Sequence, residues 1–158
     1  MKRLKQLNKK ATQIFARIIT GMNEIGDHAK IDTSSFMAVC VDVLDRPDFG
    51  PDHPAGLSRI VSVAHYFKQN GDMCCDPDMT FLVGQPSEAA PIAIYPLTFE
   101  QALPPVYQVA ARFEGGSLIH EPALQADITR FANSWMSNIA QQQDLAAYVK
   151  GARNETPI

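Results

Sequence analysis

Apolar positions recur along the first segment at spacings of three and four: Leu4, Leu7, Ala11, Ile14, Ile18, Met22 and Ile25. That period puts them on one face of an amphipathic helix. Gly26 is the expected stop, because glycine takes a left-handed C-cap without a steric penalty. A polar joint over residues 27–32 then leads to a strand over 36–44. There Met37, Val39, Val41 and Val43 alternate with Ala38, Cys40 and Asp42. The first set suits a buried sheet face. Residues 46–57 hold three prolines and two glycines and read as a loop.

The clearest pattern follows. Residues 59–69 form a strand, Asn70-Gly71 a two-residue hairpin turn, and a second strand runs to about Val83. Asn-Gly is favoured there because both turn positions need positive φ. With Gln69 and Asp72 as the closing pair, Phe67 faces Cys74 and His65 faces Asp76. An unbroken register would then set Val63 against Asp78 and Val61 against Thr80, matching an apolar face with a polar one. One extra residue at Asp76-Pro77 restores Val63 to Met79 and Val61 to Phe81. Proline cannot donate to a ladder, so a β-bulge is expected at that dipeptide, with His65 beside it.

Residues 85–91 read as a turn and 92–97 as a short strand. The alternation of Tyr107, Val109, Ala111 and Phe113 gives a last strand, broken at Gly115-Gly116. A helix begins near Pro122, a favoured residue in a first turn. Its stripe is Leu124, Ile128, Phe131, Trp135 and Ile139, and residues 145–149 add a turn or two. The expected fold is α+β: a five-stranded antiparallel meander sheet with an N-terminal and a C-terminal helix on one face. One domain spans residues 1–150, and 151–158 form a disordered tail.

Composition narrows the class. The chain has 158 residues, 46% of them hydrophobic and 20% charged, which suits one globular domain. No apolar run reaches the roughly 18 residues of a membrane span, so a membrane is not an expected partner. The three cysteines, Cys40, Cys74 and Cys75, are odd in number and two are adjacent. That argues for thiols in a reducing cytoplasm rather than a disulfide framework. Residues 1–30 carry seven Lys/Arg against two Asp/Glu, and the rest of the chain seven against fifteen. A basic start on an acidic body can meet nucleic acid, an acidic partner or its own body. Lys2, Arg3, Lys5, Lys9 and Lys10 are the candidate partner-binding residues. They sit at the wrong end of the helix for its dipole, and a frayed, solvated terminus is the plainer explanation.

No phosphate-binding glycine loop, nucleophile elbow or zinc spacing is present. No cofactor is expected. The polar residues gathered near the bulge are the candidate ligand-binding set: His65, Asp72, Asp76 and Asp78. A histidine beside a carboxylate can act as a general base or help hold a divalent metal. The plainer alternative is a structural His65–Asp76 pair that pins the bulge. His28, with Asp27, Lys30 and Asp32, joins the set if it approaches His65. Phe131 and Trp135, one turn apart, suit a core better than a ligand box. Edge strands of so small a sheet leave a homo-oligomer open.

Several strings resemble an uncharacterised bacterial family, a domain of unknown function carried largely on plasmids and integrative elements. They are residues 26–32, Ser62-Val63-Ala64-His65-Tyr66-Phe67, Gln69-Asn70-Gly71-Asp72, Asp76-Pro77-Asp78-Met79 and Phe131-Ala132-Asn133-Ser134-Trp135. The resemblance spans roughly residues 1–143. It implies a cytoplasmic protein of the bacterial accessory gene pool and no assigned activity. Two functions follow. The first is a non-enzymatic domain that binds a protein or nucleic acid in the service of a mobile element. The second is a small metal-assisted enzyme built on His65 and Asp76.

Overall fold

A computed structural model of the chain describes residues 4–47, 58–84, 91–114 and 117–154. Helix α1 is Lys9–Ile18, shorter than the apolar stripe. The side chain of Asn8 accepts the Ala11 N–H at 2.8 Å and so fixes where the helix starts. Leu4 and Leu7 are buried, but before the helix. Leu7 N–H donates to the Ile94 carbonyl at 2.9 Å, which lays this segment along a sheet edge. The chain leaves the helix at Ile19 and turns at Gly21, where φ is +76°. Gly26 (φ +91°) therefore serves a later turn, and Ile25 is exposed rather than part of the buried stripe.

Six strands follow in one antiparallel sheet, ordered as in the sequence: β1 His28–Ile31, β2 Val39–Asp45, β3 Arg59–Gln69, β4 Asp72–Gly84, β5 Ala93–Gln101 and β6 Val106–Val109. Strands β7 (Ala111–Glu114) and β8 (Ser117–His120) form a separate hairpin sheet. The expected count of five is corrected in three ways, the first being β8, which was not among the expected strands. The polar joint is partly strand β1, an edge strand with only Ile31 buried. The expected last strand breaks at Ala110, where the chain leaves the main sheet. The expected breaker Gly115-Gly116 lies outside the described residues.

The β3–β4 hairpin has the predicted register. Gln69 pairs with Asp72, Phe67 with Cys74, Val63 with Met79 and Val61 with Phe81. Ala64 pairs with Asp78 but Tyr66 with Cys75, so Asp76 and Pro77 together oppose His65. Asn70 and Gly71 both hold positive φ, at 53° and 85°.

Helix α2 is Pro122–Gln142 and α3 is Leu145–Asn154. Residues 151–154 are thus helical, where a disordered tail was expected. Val39, Val41, Val43, Val61, Val63, Phe81 and Val83 share one buried cluster with Phe15, Ile18, Ile128, Met136 and Leu145 of the helices. Phe15 meets Phe81 edge-on at 4.8 Å. A smaller cluster of Leu4, Leu82, Leu97 and Ala111, flanked by Ile60, Tyr95 and Phe113, covers one end of the opposite face.

Two buried glutamines tie the layers together. Gln125 accepts the Lys5 N–H at 2.7 Å and donates to the carbonyls of Lys5 and Pro96. Gln143 accepts from the Thr33 N–H and hydroxyl and donates to the Met37 carbonyl. That last bond holds Phe36 and Met37 outside the ladder, where both are exposed, although Met37 alternates with the buried valines. Among the described residues no helix is long and apolar enough to cross a membrane.

Candidate functional site

Strand parity separates the candidate residues. On β3, Val61, Val63 and His65 point toward the helices, while Ser62, Ala64 and Tyr66 point to the open face. Cross-strand neighbours share a face. One complete row therefore runs over the open face: Lys30, Cys40, Ala64, Asp78, Glu100 and Tyr107. The next row is His28, Asp42, Ser62, Thr80, Thr98 and Val109. Tyr66 and Cys75 extend the same surface.

The open face concentrates acid. Asp78 stands directly opposite Glu100, and a like-charge pair in that position is unfavourable. Asp78 Oδ1 is buried with no hydrogen-bond partner among the described residues. Burial, then the charges of Glu100 and Asp42, push the Asp78 carboxyl up to about 6. Burial, then the Asp78 charge with smaller effects of Cys40, Asp42 and Cys75, pushes the Tyr66 phenol up to about 12. The Cys40 and Cys75 thiols rise chiefly through burial, so neither is an activated thiolate. His28 Nδ1 lies 2.7 Å from Asp42 Oδ1, an exposed pair at one edge of the face.

His65 looks the other way. It is 8% exposed, and its Nδ1 lies 3.0 Å from the Ala38 carbonyl. Its ring meets Trp135 edge-on at 5.5 Å. Beside it opens a cleft of about 340 Å³. Phe36 and Met37 form one wall, Asp76 and Pro77 of the bulge a second, and Trp135, Asn138 and Gln142 of α2 a third. Trp135 is buried in the main core, as expected, yet its indole N–H has no acceptor among the described residues. Phe131 is exposed and packs on both Phe99 and Trp135.

The structure therefore brings His65 and Asp76 to one cleft and leaves the other candidates elsewhere. Asp78 belongs to the opposite face, Asp72 to the exposed hairpin end, and His28 to the first edge strand. His28 does not approach His65. Asp27 is a local cap: its carboxylate accepts the Asn23 and Glu24 N–H groups, which hold its pKa below the usual range. Lys5, Lys9 and Lys10 are exposed around the start of α1, and Lys2 and Arg3 lie outside the described residues. Among the described residues no group of three or more His, Cys, Asp or Glu is placed to hold a metal. A second groove, about 690 Å³, runs between the end of α1, strand β1 and α3.

Sequence reasoning missed Glu100 and the joining of the acids into one surface. The alternation on β2, β3 and β4 carried the signal for Asp42, Tyr66 and Asp78. Glu100 lies past Leu97, the expected end of the short strand over 92–97 that the structure extends to Gln101 as β5.

Neither the curated proteins nor the solved structures contain a match to this chain. A family model does match, over residues 4–145, which takes in every strand, α1, α2 and both surfaces described above. The chain belongs to that family, DUF6908, a domain of unknown function.

Proposed function

We propose that this chain is a non-enzymatic interaction domain, acting in the cytoplasm as an accessory protein of a mobile genetic element. Its open sheet face receives a cationic segment of a protein partner. The observation that carries the reading is the opposed pair of Asp78 and Glu100, with a buried Asp78 oxygen that no described residue satisfies. An ammonium or guanidinium group laid there supplies both the missing hydrogen bond and the missing charge. Tyr107, at the end of the same row, is exposed and offers an aromatic face to such a cation. The acidic balance of residues 31–158 supports the same sign of partner. A nucleic-acid backbone is repelled by this face, so the nucleic-acid form of the reading rests on Lys5, Lys9 and Lys10 alone. The mobile-element role rests on the sequence resemblance. The catalytic alternative keeps His65 and Asp76 in one cleft, but the Nδ1 contact of His65 is with the Ala38 carbonyl and not with a carboxylate.

The test is fluorescence anisotropy with a labelled arginine-rich peptide and a labelled single-stranded oligonucleotide. The peptide is expected to bind, to weaken as salt rises, and to lose about tenfold in affinity in Asp78→Asn/Glu100→Gln, roughly the 1.4 kcal/mol of a modest charge pair. Oligonucleotide binding that exceeds peptide binding and ignores that double variant overturns the reading.

A further inference from the structure

The His65 cleft stands on residues other than those of the open face, on the opposite side of the sheet. Its hydrogen-bonding groups are unbalanced in an informative way. The Ala38 carbonyl can only accept, so its contact with His65 Nδ1 makes that nitrogen the protonated one. In the neutral ring Nε2 is then left as an acceptor. Trp135, 5% exposed, carries a buried N–H that lacks an acceptor among the described residues. Buried donors are paired in the great majority of cases, so this one marks an incomplete site. Asn138 and Gln142 line the cleft one helical turn apart, each with an amide that donates and accepts.

Charge and shape restrict the occupant further. Among the described residues Asp76 is the only carboxylate lining the cleft, and no lysine or arginine lines it, so an anion is disfavoured. Phe36 and Met37 are 55% and 40% exposed, an apolar wall held in place through Gln143. The occupant must offer an acceptor to Trp135 and a donor to His65, carry no negative charge, and end in an apolar group. A backbone amide with its apolar side chain has all of these features. The space, about 340 Å³, holds one or two residues.

We propose that the cleft between the Asp76-Pro77 bulge and α2 recognises a peptide segment of a partner protein. It takes a backbone amide between Trp135 and His65 and an apolar side chain against Phe36 and Met37.

Trp135 is the sole tryptophan, so its indole N–H gives a single assignable resonance. The experiment follows that resonance in ¹⁵N-labelled protein titrated with N-acetyl-leucinamide, N-acetyl-leucine and adenosine. The amide is expected to move it downfield and to saturate in the millimolar range usual for a single-residue probe. The carboxylate probe is expected to bind roughly tenfold more weakly, and the exposed substitution Asp76→Asn to narrow that gap. His65→Phe, which keeps an aromatic ring but removes the acceptor, is expected to weaken the amide about tenfold with an unchanged near-UV spectrum. Three results overturn the proposal: an unmoved indole resonance, equal binding of the amide and the carboxylate, or tighter binding of adenosine.

Discussion

Replacing Asp78 with asparagine should stabilise this protein at neutral pH and leave it unchanged in acid. The Asp78 carboxyl sits at about 6 in the fold against an ordinary 3.8, driven first by burial and then by Glu100 and Asp42. A folded pKa above the unfolded one means that the folded state holds the proton more tightly. The protein is then most stable below the unfolded value and loses stability as pH rises toward the folded one. The full difference corresponds to roughly 3 kcal/mol in a sealed site. Asp78 keeps part of its surface in water, and screening reduces the figure to about 1–2 kcal/mol. Asp78→Asn removes the charge and keeps the shape. Urea unfolding at pH 4 should therefore show little difference from the parent. The gap should open between pH 4 and 6 and stay level above that. A gain of that size raises the melting temperature by about 3–6 °C at pH 7. Glu100→Gln should give a smaller gain, and the double variant less than the sum, because the two acids are neighbours. A loss of stability at pH 7, or the same gain at pH 4 and pH 7, would refute the reasoning. Stabilisation joined to weaker binding of the cationic peptide is the pattern of a residue kept for function.

Other elements give further tests. Gln125→Leu leaves the Lys5 N–H and the Lys5 and Pro96 carbonyls without their partner, and should cost about 2–4 kcal/mol in chemical denaturation. Phe15→Ala empties a fully buried position against Phe81 and should cost about 3–5 kcal/mol by the same assay. Gly71→Val meets no side-chain obstacle, but it forces a β-branched residue to φ +85°, so a loss of about 1–2 kcal/mol should come from backbone strain alone. Gln143→Ala frees the segment of Phe36 and Met37, and should shift the Trp135 emission to longer wavelength as water enters the cleft.

The elements legible in the sequence were those where two local signals agreed. The β3–β4 hairpin combined an Asn-Gly turn with strict alternation, and even its bulge followed from matching apolar faces. Helix α2 combined Pro122 with a long apolar stripe. Where one signal stood alone it misled. Leu4 and Leu7 match a helical period, yet Asn8 caps the helix after them, and Leu4 packs in the smaller cluster on the opposite face. Strand β1 buries only one of its four residues, and β8 buries none, so neither shows a strand pattern. The acidic face depended on which strands neighbour one another over six positions, and that order is a tertiary fact. Trp135 was correctly placed in the core, but its unmatched N–H depends on the packing around the ring.

The bulge is the feature that links both surfaces to the sequence. Aspartates two apart on a regular strand share a face, yet here Asp76 lines the cleft and Asp78 joins the open face. The extra residue makes that division. Deleting Asp76 leaves one residue on each strand between the pairs Ala64–Asp78 and Tyr66–Cys75, which is a regular ladder. Pro77→Val in the same variant restores the donor that such a ladder needs. If the bulge serves recognition rather than folding, this double change should keep the melting temperature within a few degrees of the parent. It should also abolish the preference of the cleft for an amide over a carboxylate, since the repelling charge is gone. A variant that fails to fold would show instead that the bulge provides curvature the sheet requires. In that case Asp76→Asn, which leaves the backbone alone, still separates the charge from the shape.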